Sequence, residues 1–276
     1  MGKPYDSGRL ELFQTLIAEL LKQSFPSLAE KTNSQVAYQN LAFFESYFSN
    51  YIEGTVFTVA EARDIIFKNI RIPNRTGDSH DISGTYEVCA FRERLEQEAK
   101  EPNDFLALIE SHHSEVMRGR PDKRPGKFKI RANRAGSTYF VDPNKVIGSL
   151  EQAFVLLRGI KSPFARATFV MFALSEIHPF TDGNGRLARI MMNAELSRAG
   201  ESKIIIPTVY RADYMLNLRK LTRDKDPAPY VRMMYRIWQW THWLEPDNLG
   251  SMEAQLIGCN AFLHDDEGAI IFPEGI

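Results

Sequence analysis

The residues best suited to chemistry in this sequence lie together between His178 and Arg189. The segment reads His-Pro-Phe-Thr-Asp-Gly-Asn-Gly-Arg-Leu-Ala-Arg. The imidazole of His178 can accept a proton near neutral pH, because its unperturbed pKa is about 6.5. The Asp182 carboxylate can bind Mg²⁺, which prefers one or two carboxylates together with phosphate oxygens. Arg186 and Arg189 can each grip phosphate oxygens through paired hydrogen bonds, so the segment predicts nucleotide chemistry.

The same segment predicts how the backbone presents these groups. A proline after His178 disfavours helical geometry there, so the preceding helix should end at that residue. Gly183 and Gly185 permit a tight turn and a close approach to an anion. A new helix should begin near Asn184, where free N–H groups and the positive end of the helix dipole favour phosphate.

The elements that must position this segment are almost all helices. Apolar residues at helical spacing, together with capping and stop signals, predict the helices and give an all-α fold class. The predicted helices cover approximately residues 10–21, 36–53, 83–99, 104–117, 143–157, 163–177, 184–198, 212–221, 228–244 and 251–262, with a short one opened by Thr58 and Glu61. Residues 74–83 are predicted to be a loop, and alternating residues over 127–141 predict the only hairpin.

Composition narrows the class of protein further. The chain has 276 residues, of which 43% are hydrophobic and 25% charged, with a net charge of −1. This balance is typical of a soluble globular protein and gives no basic field for nucleic acid or membrane binding. The two cysteines, Cys89 and Cys259, lack metal-ligand spacing and indicate reduced thiols. Without a visible signal peptide or membrane span, we expect a cytoplasmic protein with no nucleic-acid or membrane partner.

The twelve residues resemble the signature of the Fic family. That signature is His, any residue, Phe, any residue, Asp or Glu, Gly, Asn, Gly, Arg, two of any kind, then Arg, and all eight specified positions are present. The alternative interpretation is a glycine-rich helix N-terminus with solvated arginines. The resemblance implies a Fic-type helical bundle with a β-hairpin flap over the active site. It also implies a nucleotidyltransferase that moves AMP from ATP to a hydroxyl of a target protein.

The resemblance implies a role for each residue of the motif. His178 would be the catalytic base and Asp182 the Mg²⁺ ligand, while Phe180 would anchor the loop on the core. The nucleotide would be bound by Gly183, Asn184, Gly185, Arg186 and Arg189, with Arg186 on the β-phosphate and Arg189 on the γ-phosphate. Tyr214 resembles an aromatic residue that flanks the nucleotide, and a role as a core tyrosine is the alternative.

A second pattern, more than a hundred residues upstream, resembles the inhibitory motif of the Fic class that carries its inhibitory helix before the core. It runs Ser49-Asn50-Tyr51-Ile52-Glu53-Gly54. Ser49 and Glu53 lie four residues apart and so share one helix face. The resemblance implies that Glu53 pairs with Arg189 and holds ATP in an unproductive pose; a solvated helix end is the alternative.

The resemblance also implies a domain organisation. Residues 1–100 would hold the N-terminal helices with the inhibitory helix, 101–245 the Fic catalytic core, and 246–276 a C-terminal extension packed on that core. The expected partners are ATP and a target protein, and the sequence does not decide between a monomer and a homodimer. Two other functions remain alternatives: removal of AMP from a modified protein, and a non-catalytic nucleotide-binding sensor.

Two other groups of residues could suggest a site. The pair His112-His113 could suggest a metal, but adjacent residues on a helix point apart, so a structural role is favoured. Trp238, Trp240 and Trp243 lie on a helix that is apolar nearly all round, which favours burial over ligand stacking.

Overall fold

The computed structural model describes residues 2–276, and helices dominate them. The helices are α1 (Ser7–Leu20), α2 (Gln35–Ile52), α3 (Val59–Lys68), α4 (Thr76–Cys89), α5 (Arg92–Leu95), α6 (Pro102–Val116), α7 (Val146–Gly159), α8 (Pro163–Ile177), α9 (Asn184–Arg198), α10 (Arg211–Asp224), α11 (Ala228–Trp243) and α12 (Leu249–Gly258). One antiparallel hairpin joins β1 (Arg134–Ala135) to β2 (Thr138–Tyr139). Within the described residues, no helix combines the length and apolar composition needed to cross a lipid bilayer.

The centre of the fold is the pair of helices α8 and α9, which pack along each other. Pro163 begins α8, and the Ser162 side chain caps it by accepting a hydrogen bond from the Ala165 N–H. Nearly every side chain of α8 is buried, as expected for a helix that is apolar all round. The motif loop, residues 178–183, joins α8 to α9 and is therefore held at both ends by the core.

Helix α2 is almost as deeply buried as the central pair, and polar contacts fix it to α9. The Asn193 amide donates to one oxygen of Glu45 at 2.9 Å, and the Lys203 ammonium lies 3.1 Å from the other. All three side chains are buried. Buried charges are costly unless they are paired and hydrogen-bonded, so these contacts fix the position of α2.

The prediction of a loop at residues 74–83 was wrong. Helix α4 begins at Thr76, and after it ends at Cys89 only the single turn of α5 follows. Two polar residues of this segment are buried: Ser79 donates to the Arg75 carbonyl at 2.9 Å, and Asp81 pairs with arginines. Tertiary contacts thus override the weak helix propensity of this segment.

The hairpin is shorter than the predicted span of 127–141. Only Arg134 pairs with Tyr139, and Ala135 with Thr138, around a turn in which Gly136 has a φ of 58°. The rest of the segment is irregular backbone. We use "flap" for residues 127–141 as a whole.

The C-terminal segment packs on α2. Helix α12 spans Leu249–Gly258, so it begins and ends earlier than the predicted 251–262. After it, the Phe262 ring lies 6.1 Å from the Phe44 ring and 5.1 Å from the Phe48 ring, measured between centroids. Phe262 therefore covers aromatic side chains of α2 that would otherwise meet solvent.

Candidate active site

His178 ends α8 in an unusual backbone conformation. Its φ of 50° and ψ of 59° lie in the left-handed region, which is uncommon for a residue other than glycine and recurs at functional sites. Its Nδ1 lies 3.2 Å from the Ser175 carbonyl oxygen. A carbonyl oxygen can only accept a hydrogen bond, so Nδ1 carries the proton and Nε2 keeps its lone pair.

The flap covers this imidazole. The Phe140 ring stacks on it with centroids 3.8 Å apart and an interplanar angle of 4°. Burial, aided by the nearby Lys129 ammonium, lowers the pKa of His178 to about 4. The side chain is therefore neutral at pH 7, as a proton acceptor must be.

Asn184 closes the motif loop into a ring. Its Oδ1 accepts from the Phe180 N–H at 2.8 Å, and its Nδ2 donates to the Phe180 carbonyl at 3.0 Å. Phe180 is fully buried, and its ring stacks on His113 with centroids 3.7 Å apart. The Asn184 side chain therefore shapes the loop, and only its backbone is left for an anion.

His113 on α6 supports the same loop, a role that sequence analysis missed. The Gly126 N–H donates to its Nδ1 at 2.9 Å, so its Nε2 carries the proton and donates to the Asp182 carbonyl, also at 2.9 Å. Burial lowers the pKa of His113 to about 4. His112 points elsewhere into the core, which agrees with the structural interpretation of the pair.

Asp182 and Arg186 occupy different environments. The Asp182 side chain is 43% exposed; its Oδ1 accepts from the Gly183 N–H at 2.7 Å, and its Oδ2 has no partner among residues 2–276. Arg186 is buried, and its Nη1 lies 2.7 Å from the Asp81 carboxylate of α4. Arg120 shares that carboxylate at 2.7 Å. The structure thus places Arg186 against a protein carboxylate rather than in open space.

Arg189 is held by the end of α2. Its Nε donates to the Ser49 hydroxyl at 3.0 Å, and its Nη2 donates both to the Ser49 carbonyl at 2.9 Å and to Glu53 Oε1 at 2.6 Å. Burial by itself lowers the pKa of the guanidinium, but the Glu53 carboxylate more than offsets this and the net pKa is raised. A side chain at Gly185 would overlap Glu53 Oε1, so this approach requires glycine.

A cavity of about 440 Å³ lies between the motif loop, the flap and α10. Its volume is within the range of about 300–1,000 Å³ usual for ligand sites. Five of the predicted site residues line it: Glu53, His178, Gly185, Arg189 and Tyr214. Tyr214 is buried, with its hydroxyl 4.0 Å from the Met171 sulfur, so it is both a core residue and part of the wall.

The N-terminal helix fixes the flap beside this cavity. Arg9 of α1 donates from Nη2 to the Tyr139 carbonyl at 2.8 Å, and its Nε lies 3.0 Å from the buried Glu176 carboxylate. Thr222 of α10 donates to the other oxygen of Glu176 at 2.5 Å. Because Glu176, Thr222 and His178 all line the cavity, α1 is coupled to its wall.

The flap is also attached directly to the motif loop. The Lys129 N–H donates to the Pro179 carbonyl at 2.8 Å, and the Asn133 amide donates to the Phe180 carbonyl at 3.0 Å. The beginning of the flap therefore runs beside His178. Nothing in the local sequence signals these long-range contacts.

The chain is similar to known proteins in sequence and in fold. Residues 103–196 match the Fic/DOC family. The chain is 27% identical over 224 residues to a protein adenylyltransferase Fic of Drosophila persimilis, covering 77% of this chain and 42% of that protein. The chain spans about two fifths of the length of the curated relatives it matches.

Solved structures show the same fold. A Fic domain containing signalling protein from Bacteroides thetaiotaomicron aligns with a TM-score of 0.67 and 18% identity, covering 89% of this chain and 97% of that one. A variant of IbpAFic2 in complex with adenylylated Cdc42 aligns with a TM-score of 0.51 and 17% identity, covering 83% and 69% respectively. These likenesses establish the helical Fic architecture with its small flap.

Proposed function

We propose that this chain, whose residues 103–196 match the Fic/DOC family, transfers AMP from ATP to a hydroxyl side chain of a target protein. The observation that carries the proposal is the state of His178. Its Nδ1 is engaged by the Ser175 carbonyl, so the lone pair of Nε2 is available in a cavity that Gly185 and Arg189 also line. The complex of a Fic relative with adenylylated Cdc42 supports the same chemistry.

The reaction follows from these groups. His178 Nε2 accepts the proton of the target hydroxyl, and the hydroxyl oxygen attacks the α-phosphorus of ATP. A phosphorus–oxygen bond to the target forms while the bond to the bridging oxygen breaks, and pyrophosphate leaves. Backbone N–H groups at the start of α9 and the Arg189 guanidinium are suited to stabilise the phosphate charge.

The residues present also fit a magnesium ion. The Asp182 carboxylate is 43% exposed and has one oxygen without a protein partner, which suits a cation that takes one carboxylate and completes its shell with phosphate and water. Bound Mg²⁺ would neutralise charge on the phosphate oxygens. Asp182 would hold it, and His113 would steady Asp182 through the carbonyl contact.

We further propose that Glu53 inhibits the enzyme. The Glu53 carboxylate and Ser49 together occupy Arg189 Nε and Nη2, so only Nη1 remains for a γ-phosphate. A triphosphate would have to displace Glu53 or bind in another pose. Replacing Glu53 with glycine removes the competitor and leaves Arg189 held only by Ser49.

Labelled ATP shows which phosphate group of ATP is transferred. The Glu53→Gly variant should incorporate label from ATP marked at the α-phosphate and none from ATP marked at the γ-phosphate. Incorporation from the γ-phosphate would instead identify phosphate transfer. If the protein is instead a nucleotide sensor, we expect no incorporation from either labelled ATP, and His178→Ala should leave the response of the protein to ATP unchanged.

One observation favours a second candidate, the removal of AMP from a modified protein. Glu53 lines the same cavity as His178, so a carboxylate and the proposed base share one cavity in which the carboxylate could orient a water. The test is release of AMP from a protein modified beforehand by the Glu53→Gly variant. Release by wild type, but not by Glu53→Gly or Glu53→Ala, would establish this activity.

A further inference from the structure

We propose that the flap selects an extended acidic segment of the target protein. This inference rests on the proposed function, since it concerns the target of the same site. It is carried by the charge and exposure of four residues that we call the flap cations: Lys127, Arg131 and Arg134 of the flap, and Arg124 just before it. All four are exposed.

The charge of this segment contrasts with that of the chain. Residues 124–141 contain five basic residues and no acidic one, although the whole chain has a net charge of −1. One of the five, Lys129, is buried, with its ammonium 2.7 Å from Asn133 Oδ1 and 3.2 Å from the Ile177 carbonyl. It is therefore structural, and the other four remain for a partner.

No carboxylate of the protein neutralises the flap cations. Within residues 2–276, none of them forms an ion pair, whereas the preceding Arg118 and Arg120 are both paired with acidic residues. Arg124 only reaches the Phe128 carbonyl at 3.5 Å, and the Arg134 guanidinium lies 5.9 Å from the Tyr139 ring centroid. Four exposed cations on one short segment create a positive potential that favours an acidic partner.

The backbone between these cations has hydrogen-bonding groups left for a partner. Among the described residues, the N–H and C=O groups of residues 130–132 have no hydrogen-bond partner. Residues 130 and 131 form a bend rather than a strand, and their free backbone groups can hydrogen-bond to a bound segment. The preceding Lys129 N–H is bound to Pro179, next to His178, so a paired segment would pass close to the base.

The flap also offers apolar contacts. Ile130 is 69% exposed and Tyr139 is 65% exposed. Alternate residues of a strand point to opposite faces, so a paired segment could present acidic side chains to the cations and apolar ones to Ile130. The exposed aliphatic side chain of Ile130 favours a polypeptide, which can offer apolar side chains, over nucleic acid.

The probes for the test are synthetic peptides of equal length. Each peptide has a central Ser, Thr or Tyr flanked by alternating isoleucine and a variable residue, which is Glu, Gln or Lys. The enzyme is Glu53→Gly, and its automodification by ATP is followed in the same reaction. From the usual strength of exposed ion pairs, kcat/KM for the Glu peptides should exceed that for the Gln peptides by roughly three- to tenfold. The difference should shrink as salt is raised, because salt screens exposed charges.

Charge reversal of the flap provides the second arm. Adding Arg131→Glu and Arg134→Glu should abolish the preference for Glu peptides and make the Lys peptides the better substrates. The matched control reverses Lys22 and Lys68, which are 70% and 68% exposed and lie outside the flap, and it should keep the preference. Automodification is measured for Glu53→Gly alone, for its flap reversal and for its control reversal, and it shows that the chemistry is intact in each.

Several outcomes would overturn the inference. The first is equal rates on Glu and Gln peptides. The second is the absence of peptide modification while automodification proceeds. The third is an equal effect of the flap reversal and the control reversal. If a thymidine oligonucleotide of matched charge inhibited modification as strongly as a competing Glu peptide, the flap would bind polyanions in general instead. Loss of automodification in Glu53→Gly itself would count against the proposed function rather than against the acidic preference alone.

Discussion

At the scale of single residues, we expect the contact between Glu53 and Arg189 to affect both the proposed activity and the stability. Arg189 is buried, and removal of Glu53 leaves its charge uncompensated. Breaking a buried pair costs about 3–5 kcal/mol, and because the Glu53 side chain is 27% exposed we expect a smaller loss, about 1–3 kcal/mol. The Glu53→Gly variant should therefore unfold at a lower temperature than wild type.

ATP should reverse this loss, because its phosphates can replace the missing carboxylate beside Arg189. Thermal unfolding with and without ATP and Mg²⁺ measures the effect, with Glu53→Gln as the control that keeps the side-chain volume. We expect ATP to raise the unfolding temperature more in Glu53→Gly than in wild type. An equal shift in both proteins would show that Glu53 does not compete with the nucleotide.

The protonation of His178 gives a second prediction at this scale. Burial lowers its pKa to about 4, so the base stays neutral as the pH falls from 7 to 5. The kcat/KM of the Glu53→Gly variant should therefore be nearly constant over that range. Phe140→Ala should move the acid limb to higher pH by exposing the imidazole to water. A fall with a midpoint near the unperturbed value of about 6.5 in Glu53→Gly would contradict this account.

The motif shows what sequence can and cannot supply for the site. The spacing from His178 to Arg189 predicted a base, a turn and a helix start, because these depend on residues adjacent in the chain. The same reasoning missed Phe140 above the base and His113 behind Asp182. Those contacts depend on how distant helices pack, and single residues carry no local sign of it.

At the scale of elements, α1 positions the flap. The Arg9 guanidinium joins the Tyr139 carbonyl to the buried Glu176, which Thr222 also holds. Replacing Arg9 with alanine should loosen the flap and raise KM for a protein target several-fold while leaving the affinity for ATP nearly unchanged. Steady-state kinetics with a peptide target and calorimetry with ATP separate the two effects.

A control distinguishes positioning from general damage to the fold. Arg166→Ala removes another partly buried arginine paired with a glutamate, Glu195, away from the cavity wall. It should lower stability without raising KM for the target. Equal changes in KM for both variants would contradict a specific role for Arg9.

The elements also show where sequence patterns fail. Helix α8 matches its prediction because its capping residue, its proline and its apolar surface all agree. Helix α4 was interpreted in part as a loop because the segment is polar. It is helical because tertiary contacts, such as the pairing of Asp81 with arginines of other elements, stabilise it. The Asp81 carboxylate that fixes Arg186 belongs to this misread segment, so its role could be recognised only in three dimensions.

At the scale of the whole molecule, buried histidines predict sensitivity to acid. Burial lowers the pKa of His112, His113 and His178 to about 4 each. The unfolded chain binds protons at these residues below about pH 6.5, whereas the folded protein does not, so stability falls as the pH drops from about 6.5 toward 4.

Chemical denaturation at pH 7, 6 and 5 measures this dependence. We expect the free energy of unfolding to decrease at each step, and His112→Gln to flatten the decrease because it removes one titrating group away from the active site. Unchanged stability between pH 7 and 5 would show that these histidines are not held neutral. The exposed His264 is the contrasting site: its hydrogen bond to Asp266 raises its pKa, so the folded protein binds that proton first, and replacing His264 should steepen the decrease rather than flatten it.

The measurement that tests the central claim most directly is the intact mass of the protein after incubation with ATP and Mg²⁺. Three proteins are compared: wild type, Glu53→Gly, and Glu53→Gly combined with His178→Ala. A transferase restrained by Glu53 predicts a gain of one or more AMP units in Glu53→Gly, little or none in wild type, and none in the double variant. A gain as large in wild type would contradict the restraint, and a gain in the double variant would contradict the role of His178. Absence of any gain in Glu53→Gly would contradict AMP transfer to its own chain.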